Sequence, residues 1–481
     1  MALLAERIAT IVSLAQAEAA PAEVDAPVLA ADVPIGRVAG ARLATYSFAA
    51  DGPAPLLGAV GGHAKAESSS SAVPLAAAEL PPLAPEAAPG APSGGELRRG
   101  PEDPCSPGRS LLDGLLLAHW EDAAAKGLLR YDVMACPTKV LPGHLGFVAQ
   151  LNEGRATKKR PTEFRVDQVC QPFDPSKFNF NKASLKEALF AFKPAAPGAR
   201  ASFAPAAAAS ASPNLVLVNV SPIDYGHVLL CPRVLDELPQ LLDRESVLLA
   251  LRYAAEAANP HLRVGYNSLG AYATINHLHF QSYYLNTTMP IERAGSAPVH
   301  GIAPRADGVT VSRLTGYPVN AFLIEGGDAA ALADAVTAAA LALQGANVPH
   351  NMLIADCGRK VYLTPQCYAD KQAKGLVPEH LLDTGVNPAV WEVTGHMVLF
   401  RQADYDAFDQ DLAWELLAAI SLTEERFLEV AALCFGRGPE EAAAAAAAAA
   451  ADVGGLRCGE SGAGEGPAAA AAAPEVAAVE A

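Results

Sequence analysis

Apolar and polar residues follow two different periods along this chain, and each period predicts a different kind of element. Helical spacing of leucines predicts a helix over 111–126, and an Ala/Leu-rich stretch behind an aspartate predicts another over 328–344. β-Branched runs at 214–220 and 228–232 flank turn residues and predict a hairpin, as does the pattern over 351–364. Together these elements indicate an α+β fold with antiparallel sheets flanked by helices.

The order of the predicted elements repeats along the chain. A strand hairpin, a long helix and a further strand occupy 214–285, and strands, a helix and a hairpin recur over 317–400. We interpret this order as two related halves, of which the second is degenerate. The predicted organisation, in chain order, is an N-terminal extension (1–49), a linker (50–105), a catalytic half (106–310), a second half with C-terminal helices (311–437) and a tail (438–481).

Three stretches consist mostly of Ala, Pro, Gly and Ser: 50–105, 194–213 and 438–481. Such segments bury too little apolar surface to offset the loss of chain entropy, so we predict that they lack packed structure. The stretch 194–213 is interpreted as a low-complexity insertion within the catalytic half.

Composition limits the partners and the compartment. The 481 residues carry a formal net charge of −17, which argues against nucleic-acid binding. No apolar run approaches the roughly 18 residues of a membrane span, and the first residues lack the basic start of a secretory signal. The eight cysteines contain no C-x-x-C pair, which favours a reducing compartment. We expect a cytoplasmic protein, with the nucleus as a second location.

The candidate chemistry lies in the aromatic and β-branched stretch 273–285, which is predicted to be a strand. Side chains alternate between the faces of a strand, so His277, His279 and Gln281 are expected to share one face. A turn with Asn267, Ser268 and Gly270 precedes them and would bring backbone N–H groups near the imidazoles; we include all three among the substrate-binding residues.

This histidine pattern is compatible with three interpretations. The two rings are core histidines with satisfied hydrogen bonds, or metal ligands, because His-x-His on a strand is also metal-ligand spacing. In the third interpretation, a neutral imidazole attacks the α-phosphorus of a nucleoside diphosphate derivative and forms a nucleotidyl-histidine. That reaction requires an acceptor that fixes the other ring nitrogen, and donors for the phosphate oxygens.

Basic residues supply candidate contacts for phosphate or hexose. The segment 152–165 is the most basic of the chain, and a solvated loop is the alternative interpretation. From their charge alone, the candidate contacts are Arg155, Lys158, Lys159, Arg160 and Lys182.

The motifs of the chain resemble a known family. Gly226-His227-Val-Leu-Leu, then a helix, then His277-Leu-His279-Phe-Gln281 resembles the histidine-triad superfamily, and Gln281 in place of a third histidine is similar to its galactose-1-phosphate uridylyltransferase branch. His227 is expected to line the pocket beside the histidine strand. The resemblance narrows to the plant-type GDP-L-galactose phosphorylase family through Phe147-Val-Ala-Gln-Leu-Asn-Glu-Gly-Arg155, Asn219-Val-Ser-Pro, Ile275-Asn-His-Leu-His-Phe-Gln281 and Val386-Asn-Pro-Ala-Val-Trp-Glu392.

This resemblance implies conversion of GDP-L-galactose and phosphate into L-galactose 1-phosphate and GDP, on the route to ascorbate, with no cofactor and no metal. It implies that His279 is the nucleophile carrying GMP, with His277 and Gln281 on the phosphate side and Asn219 among the substrate-binding residues. The expected partners are GDP-L-galactose, inorganic phosphate and GDP, with a homodimer as one candidate assembly. One departure is Asn181, where the family has Thr.

Other functions are compatible with the same residues. A GDP-hexose phosphorylase acting on GDP-glucose differs in the sugar alone. A nucleotide hydrolase would use water as the second acceptor, but that branch usually has a third histidine where this chain has Gln281. A GDP-sugar-binding regulatory protein is the alternative that is not an enzyme.

Overall fold

The structure is a computed structural model that describes residues 32–49, 110–158, 167–302 and 304–436. The linker predicted over 50–105 and the tail predicted over 438–481 lie outside the described residues, as does most of the N-terminal extension. In the described ranges, no helix is both long enough and apolar enough to cross a membrane.

Strands and helices are numbered here in chain order. The strands are β1 (Arg42–Phe48), β2 (Thr138–Val140), β3 (Val148–Leu151), β4 (Ala188–Pro194), β5 (Ser202–Ala208), β6 (Leu215–Val218), β7 (Val228–Cys231), β8 (Leu262–Asn267), β9 (Phe280–Tyr284), β10 (Gly295–Pro298), β11 (Val309–Thr315), β12 (Phe322–Gly326), β13 (His350–Ala355), β14 (Lys360–Pro365) and β15 (His396–Leu399). The helices are α1 (Leu111–Ala125), α2 (Glu153–Lys158), α3 (Arg244–Ala257), α4 (Ala329–Gly345), α5 (Tyr368–Ala373), α6 (Glu379–Leu382), α7 (Val390–Val393), α8 (Gln402–Ala407), α9 (Gln410–Ile420) and α10 (Glu424–Phe435).

Most strands join one twelve-stranded sheet in the order β10-β11-β12-β14-β13-β8-β9-β7-β6-β4-β1-β5. Its described pairs are antiparallel apart from β1 and β4. Strands β15, β3 and β2 form a second, small sheet. The mixed α+β class predicted from the hydrophobic pattern is therefore confirmed, and the sheets are mainly antiparallel. The two predicted halves share one continuous sheet, because β8 pairs with β13 and places Asn267 opposite Asn351.

The sheet order has a local symmetry about the β8–β13 pair. The units β6-β7-α3-β8-β9 and β11-β12-α4-β13-β14 each consist of a hairpin, a helix and a second hairpin, and their strands pair in the same order outward from β8 and β13. The two units differ in their second hairpin. A long connection (268–279) joins β8 to β9, whereas the tight turn Asp356–Gly358 precedes β14. The histidine motif lies in the long connection of the first unit, and the tight turn at the corresponding place in the second unit is too short to contain such a motif.

Alternating side chains divide the core between the two faces of the large sheet. On β12, Phe322 and Ile324 belong to the apolar cluster that contains the leucines of α1 and the apolar residues of α3, α4 and α10. Leu323, between them, belongs to the cluster on the other face, where the small sheet, α7 and α9 pack. The period-two pattern of the strands therefore places helices on one face and the small sheet with further helices on the other.

One low-complexity prediction is wrong within the described residues. The stretch 194–213 contains β5, which pairs with β1 at the edge of the large sheet and buries Phe203. The N-terminal extension supplies β1 itself, which lies between β4 and β5 and buries Tyr46. Strand pairing uses backbone N–H and C=O groups, so an Ala-rich segment with a single well-placed aromatic side chain still forms an edge strand.

Tyr46 offers a test of how firmly β1 belongs to the fold. Its ring stacks on Phe192 at 5.8 Å, and its hydroxyl donates to Glu256 Oε2 at 2.8 Å. We expect Tyr46→Ala to lower the free energy of unfolding by about 3–5 kcal/mol, as for other buried aromatic truncations. Tyr46→Phe, which removes only the donor to the buried carboxyl, should cost about 1–3 kcal/mol in urea titrations. A near-neutral Tyr46→Ala would show β1 to be a peripheral addition.

Three predicted elements have different bounds, each for a local reason. The apolar pattern predicts a helix over 234–258 that is interrupted near Pro239, whereas α3 begins only at Arg244, where Asp243 and Ser246 form a capping box. The same kind of pattern predicts a strand over 391–400, whereas the structure has helix α7 followed by β15 there. The strand expected over 273–285 begins only at Phe280, because the backbone before it bonds elsewhere: Leu278 N donates to Leu238 O, and His279 N donates to the Gln240 side chain.

Candidate active site

A cleft opens where β8 ends and the connection 268–279 begins. About 430 Å³ of space not occupied by atoms lies in it, and this volume includes space open to solvent. One wall comes from the first unit and the facing wall from the segment before β15, while Arg155 of α2 and Phe400 after β15 complete the lining. The lining residues are Arg155, Ile223, Asn267, Tyr272, Thr274, Gln281, Asn387, Ala389, Trp391, Glu392 and Phe400. Apolar rings with a few polar groups of fixed position are typical of a small-molecule site.

Three residues predicted from the sequence meet in this cleft: Arg155, Asn267 and Gln281. Arg155 donates to the carbonyl of Ser221, and Gln281 Oε1 accepts from Trp391 Nε1 at 3.3 Å. Asn267 Oδ1 accepts from Asn351 Nδ2 at 2.7 Å and from the backbone N–H of Val390 at 2.8 Å. Each side chain is therefore held in place by a protein partner on a neighbouring element.

His279 is buried in the connection just before β9, two residues before Gln281. Its Nδ1 lies 2.8 Å from the carbonyl of His277 and 2.9 Å from Gln240 Oε1. Both partners are oxygens that only accept, so the proton of the neutral ring resides on Nδ1 and the lone pair is left on Nε2. Burial lowers the pKa of His279 to about 4, which keeps the ring neutral at pH 7.

His277 has the opposite tautomer. Its Nδ1 accepts from the backbone N–H of Phe180 at 3.1 Å, so the proton resides on Nε2. Burial lowers its pKa to about 3. The rings of both histidines pack on Phe180, with centroids 5.5 Å away for His277 and 5.1 Å for His279.

The prediction that His277, His279 and Gln281 share one strand face needs correction. His277 and His279 lie in the irregular connection before β9, and Gln281 is the only one of the three on the strand. The reason is the bonding of the preceding backbone to Leu238 and Gln240 rather than to a neighbouring strand. His277 anchors the short turn Phe180–Lys182 against the motif.

His227 lies beside Gln281, as the hairpin motif predicted, because β7 pairs with β9. Its Nδ1 accepts from Ile223 N at 2.8 Å, and its Nε2 lies 3.0 Å from the Asn219 amide. Burial of the ring, followed by the charge of Arg155, holds the pKa of His227 well below the usual value. Asn219 therefore positions His227.

Ser268, Gly270 and Lys182, which were also predicted to bind substrate, have roles in the local backbone structure. Ser268 Oγ accepts from His350 N at 2.9 Å and donates to Leu269 O, and Gly270 has a positive φ of 79° that its turn requires. Lys182 is exposed and donates to the carbonyls of Ser176 and Lys177. Lys158 ends α2, and its side chain, like Lys159 and Arg160, lies outside the described residues.

The family comparison agrees with this layout. The family model described as "GDPGP1-like, N-terminal domain" matches residues 111–283, and that described as "GDPGP1-like, C-terminal domain" matches 291–439.

The chain belongs to the GDPGP1-like family.

Relatives of this GDPGP1-like chain include phosphorylases of two sugar nucleotides. It is 56% identical over 329 residues to "GDP-L-galactose phosphorylase 1" of Arabidopsis thaliana, covering 68% of this chain and 74% of the relative. It is 30% identical over 350 residues to "GDP-D-glucose phosphorylase 1" of Homo sapiens, covering 70% and 86%. Among solved structures, yeast Ap4A phosphorylase Apa2 with Ap4A gives a TM-score of 0.45 at 13% identity, covering 65% of this chain and 98% of that one. The resemblance predicted from the motifs is confirmed.

The GDPGP1-like site also contains residues that motif reasoning did not assign to it. Asn387, Trp391 and Glu392 line the facing wall of the cleft. Their motif contributes to the family resemblance but by itself indicates no role at the site. Gln240, which contacts His279, had no sequence signal. Within the described ranges, no group of three or more His, Cys, Asp or Glu side chains is arranged to hold a metal ion.

Proposed function

We propose that this chain is a GDP-L-galactose phosphorylase, which converts GDP-L-galactose and inorganic phosphate into L-galactose 1-phosphate and GDP. The observation that carries the proposal is the 56% identity over 329 residues to GDP-L-galactose phosphorylase 1 of Arabidopsis thaliana, against 30% for the human GDP-D-glucose phosphorylase. On this proposal the protein acts in the cytoplasm, in L-ascorbate biosynthesis.

In the first step of the proposed reaction, His279 Nε2 attacks the α-phosphorus of GDP-L-galactose. The new bond joins Nε2 to phosphorus, and the bond from phosphorus to the bridging oxygen breaks, so L-galactose 1-phosphate leaves with the electron pair. The proton on Nδ1 stays between His277 O and Gln240 Oε1, where it stabilises the ring as positive charge develops. The lowered pKa of His279 supports this step because the ring does not need to lose a proton first.

In the second step, inorganic phosphate attacks the guanylyl phosphorus, the bond to Nε2 breaks, and GDP leaves. Both steps place extra negative charge on the non-bridging oxygens of the transferred group. Gln281 and Arg155, which line the cleft, are the proposed donors to those oxygens, and Trp391 orients Gln281 by donating its Nε1–H to Gln281 Oε1.

We also infer that the two hairpin–helix–hairpin units are related halves of a histidine-triad-like fold. Their strands pair in the same order around β8 and β13, which supports this inference. In the second unit a tight turn replaces the connection that holds the nucleophile. We therefore assign the chemistry to the first unit. The second unit supplies Asn351, which holds Asn267 in place, and the elements after the second unit supply the facing wall of the cleft.

The test is to incubate the purified protein with GDP-L-galactose in the absence of phosphate. We expect the protein mass to rise by one GMP, the adduct to be acid-labile, and the modified peptide to contain His279. Adding phosphate should discharge the adduct and release GDP. Mapping of the adduct to His277 would exchange the proposed roles of the two histidines. Absence of any adduct in an enzyme that still turns over would exclude the covalent route.

A second candidate differs in the sugar, and it is favoured by the GDP-D-glucose phosphorylases among the relatives. Measuring kcat/KM for GDP-L-galactose and GDP-D-glucose side by side separates the two candidates, and we expect the larger value for GDP-L-galactose. A nucleotide hydrolase would instead release GMP at the same rate with and without phosphate.

Arg155 provides a prediction for the charged side of the cleft. We expect Arg155→Ala to lower kcat by about 10²–10³-fold, the usual loss when one preorganised donor to a developing charge is removed. Arg155→Lys should recover part of the rate because it keeps the charge but not the planar fork. The matched control is Arg244→Ala, which breaks an exposed ion pair with Asp334 and should leave the rate unchanged. Equal rates for Arg155→Ala and the control would remove Arg155 from the mechanism.

A further inference from the structure

Gln240, a buried residue outside the histidine motif, contacts the proposed nucleophile His279 through three hydrogen bonds of its side chain. Gln240 lies between β7 and α3 and is fully buried. Its Oε1 accepts from the backbone N–H of His279 at 3.0 Å and lies 2.9 Å from His279 Nδ1. Its Nε2 donates to His279 O at 3.1 Å and to Asn267 O at 2.9 Å. One amide group therefore holds the ring and both backbone polar groups of His279.

We propose that Gln240 is a positioning residue that fixes the tautomer and the orientation of the His279 ring and ties it to the cleft wall at Asn267. The inference deepens the proposed function and rests on His279 being the nucleophile. Gln240 acts through His279 and has no assigned contact with the substrate.

The surrounding bonds allow only one orientation of this amide. Its oxygen faces two N–H donors of His279, and its NH₂ group faces two carbonyls. Turning the amide over would set NH₂ against the backbone N–H of His279 and oxygen against the carbonyls of His279 and Asn267, so these three hydrogen bonds would be lost. The amide therefore selects the His279 tautomer with the proton on Nδ1, which leaves Nε2 free to attack.

The glutamine is itself fixed at its backbone. Asn276 Oδ1 accepts from Gln240 N at 2.8 Å, and Tyr266 donates its hydroxyl to Gln240 O at 2.7 Å. Asn276 in turn donates to the carbonyls of Gln171 and Pro172. Because both ends of Gln240 are anchored, its amide has little freedom to follow a displaced imidazole, which is the property expected of a group that preorganises a nucleophile.

His279 Nδ1 has a second hydrogen-bond acceptor, which limits the loss of activity expected when Gln240 is substituted. The carbonyl of His277 also lies 2.8 Å from His279 Nδ1, and no side-chain substitution removes it. Loss of Gln240 should therefore weaken the preference for one tautomer and loosen the ring without abolishing the chemistry. Substitutions of residues that orient a reacting group typically cost about 10–100-fold in activity.

The experiment compares Gln240→Met, Gln240→Glu and Gln344→Met in the full-length protein. Gln344→Met is the matched control, because Gln344 is also buried and bonds the same segment through Leu242 N at 2.7 Å and Leu242 O, away from the histidines. The readouts are the rate of GMP-adduct formation in a single turnover, kcat and KM with phosphate, and the ring ¹⁵N chemical shifts of His279, assigned through His279→Asn.

We expect Gln240→Met to slow adduct formation and kcat by about 10–100-fold with little change in KM, and to mix the two tautomers of His279. Gln240→Glu keeps the acceptor for His279 Nδ1 but sets a second oxygen against the carbonyls of His279 and Asn267, so its rate should also fall below that of the wild type. Its negative charge should shift the acid limb of the rate profile to higher pH by favouring imidazolium; His277 is the neighbouring titratable ring. Gln344→Met should retain the wild-type tautomer and pH profile.

Two results would overturn the inference: a wild-type ¹⁵N pattern and adduct rate in Gln240→Met, or equal losses in Gln240→Met and Gln344→Met that follow thermal stability alone. Failure of the proposed function is distinguishable, since wild-type protein would then form no adduct and release no GDP. The ¹⁵N shifts would still report whether Gln240 sets the tautomer of His279.

Discussion

Replacing His279 with asparagine is expected to reduce phosphorolysis of GDP-L-galactose by several orders of magnitude, about 10⁶-fold for a lost covalent nucleophile. Asparagine fits the buried site and its amide can still donate to His277 O, so the fold should survive. The nitrogen that carries the lone pair, Nε2, has no counterpart in asparagine. The measurements are the steady-state rate and the GMP adduct, which should both be lost while the thermal unfolding midpoint stays within a few degrees.

His277→Asn is the matched comparison for that variant. The substitution removes the ring that accepts from Phe180 N but leaves the backbone carbonyl that holds His279 Nδ1. We expect a smaller loss, roughly 10²–10³-fold, as for a single orienting or charge-stabilising group. The adduct should still form. If His279→Asn instead remained active, both histidines would have to be reinterpreted as parts of a binding site.

Acid should destabilise this protein strongly, because several histidines are buried in the neutral form. Burial lowers the pKa of His277 and His396 to about 3, and of His279 and His350 to about 4. In the unfolded chain each titrates near its ordinary value of about 6.5, so below that pH the unfolded state binds more protons. Stability is therefore fully present above about pH 6.5 and falls as the pH drops, until the folded pKa values are reached.

The size of this acid destabilisation follows from the difference in proton binding between the unfolded and the folded state. Each such histidine contributes a loss of about 1.4 kcal/mol per pH unit in that window, or about 2 kcal/mol at pH 5. Four of them together cost about 8 kcal/mol, comparable with the 5–15 kcal/mol that separates most folded proteins from the unfolded state. Urea unfolding midpoints between pH 7.5 and 4.5 should show a steep fall below pH 6.

The variant His350→Asn tests how much one buried histidine contributes to the pH dependence of stability. His350 lies outside the cleft and its Nδ1 faces Val348 O at 3.0 Å, so the substitution should reduce the slope of stability against pH by about 1.4 kcal/mol per unit. The control is His380→Asn at an exposed position near Glu415, which should leave the slope nearly unchanged. A slope that is the same in all three proteins would mean that the buried histidines do not govern acid unfolding.

Much of the fold was predictable because the signals were local. Asp328 caps the start of helix α4, as predicted, because its side-chain oxygen accepts from N–H groups two and three residues later. The hairpins β6–β7 and β13–β14 follow from short apolar runs separated by turn residues. Where the prediction failed, as for β5 in 194–213, composition was misleading because backbone pairing with β1 does not depend on the side chains.

The sequence by itself determined the family and the candidate site residues: His279, His277 and Gln281 in one short motif, and His227 in the preceding hairpin. Only the tertiary structure decided how that chemistry is arranged. It brought Trp391 and Asn387 to face the first unit across a cleft and placed Gln240, 39 residues before His279, on its imidazole. Motifs arise from spacing of a few residues along the chain, whereas hydrogen bonds between distant segments depend on which strands and connections pack together. The proton position on His279, and with it the nitrogen that is free to attack, therefore became defined only in the folded chain.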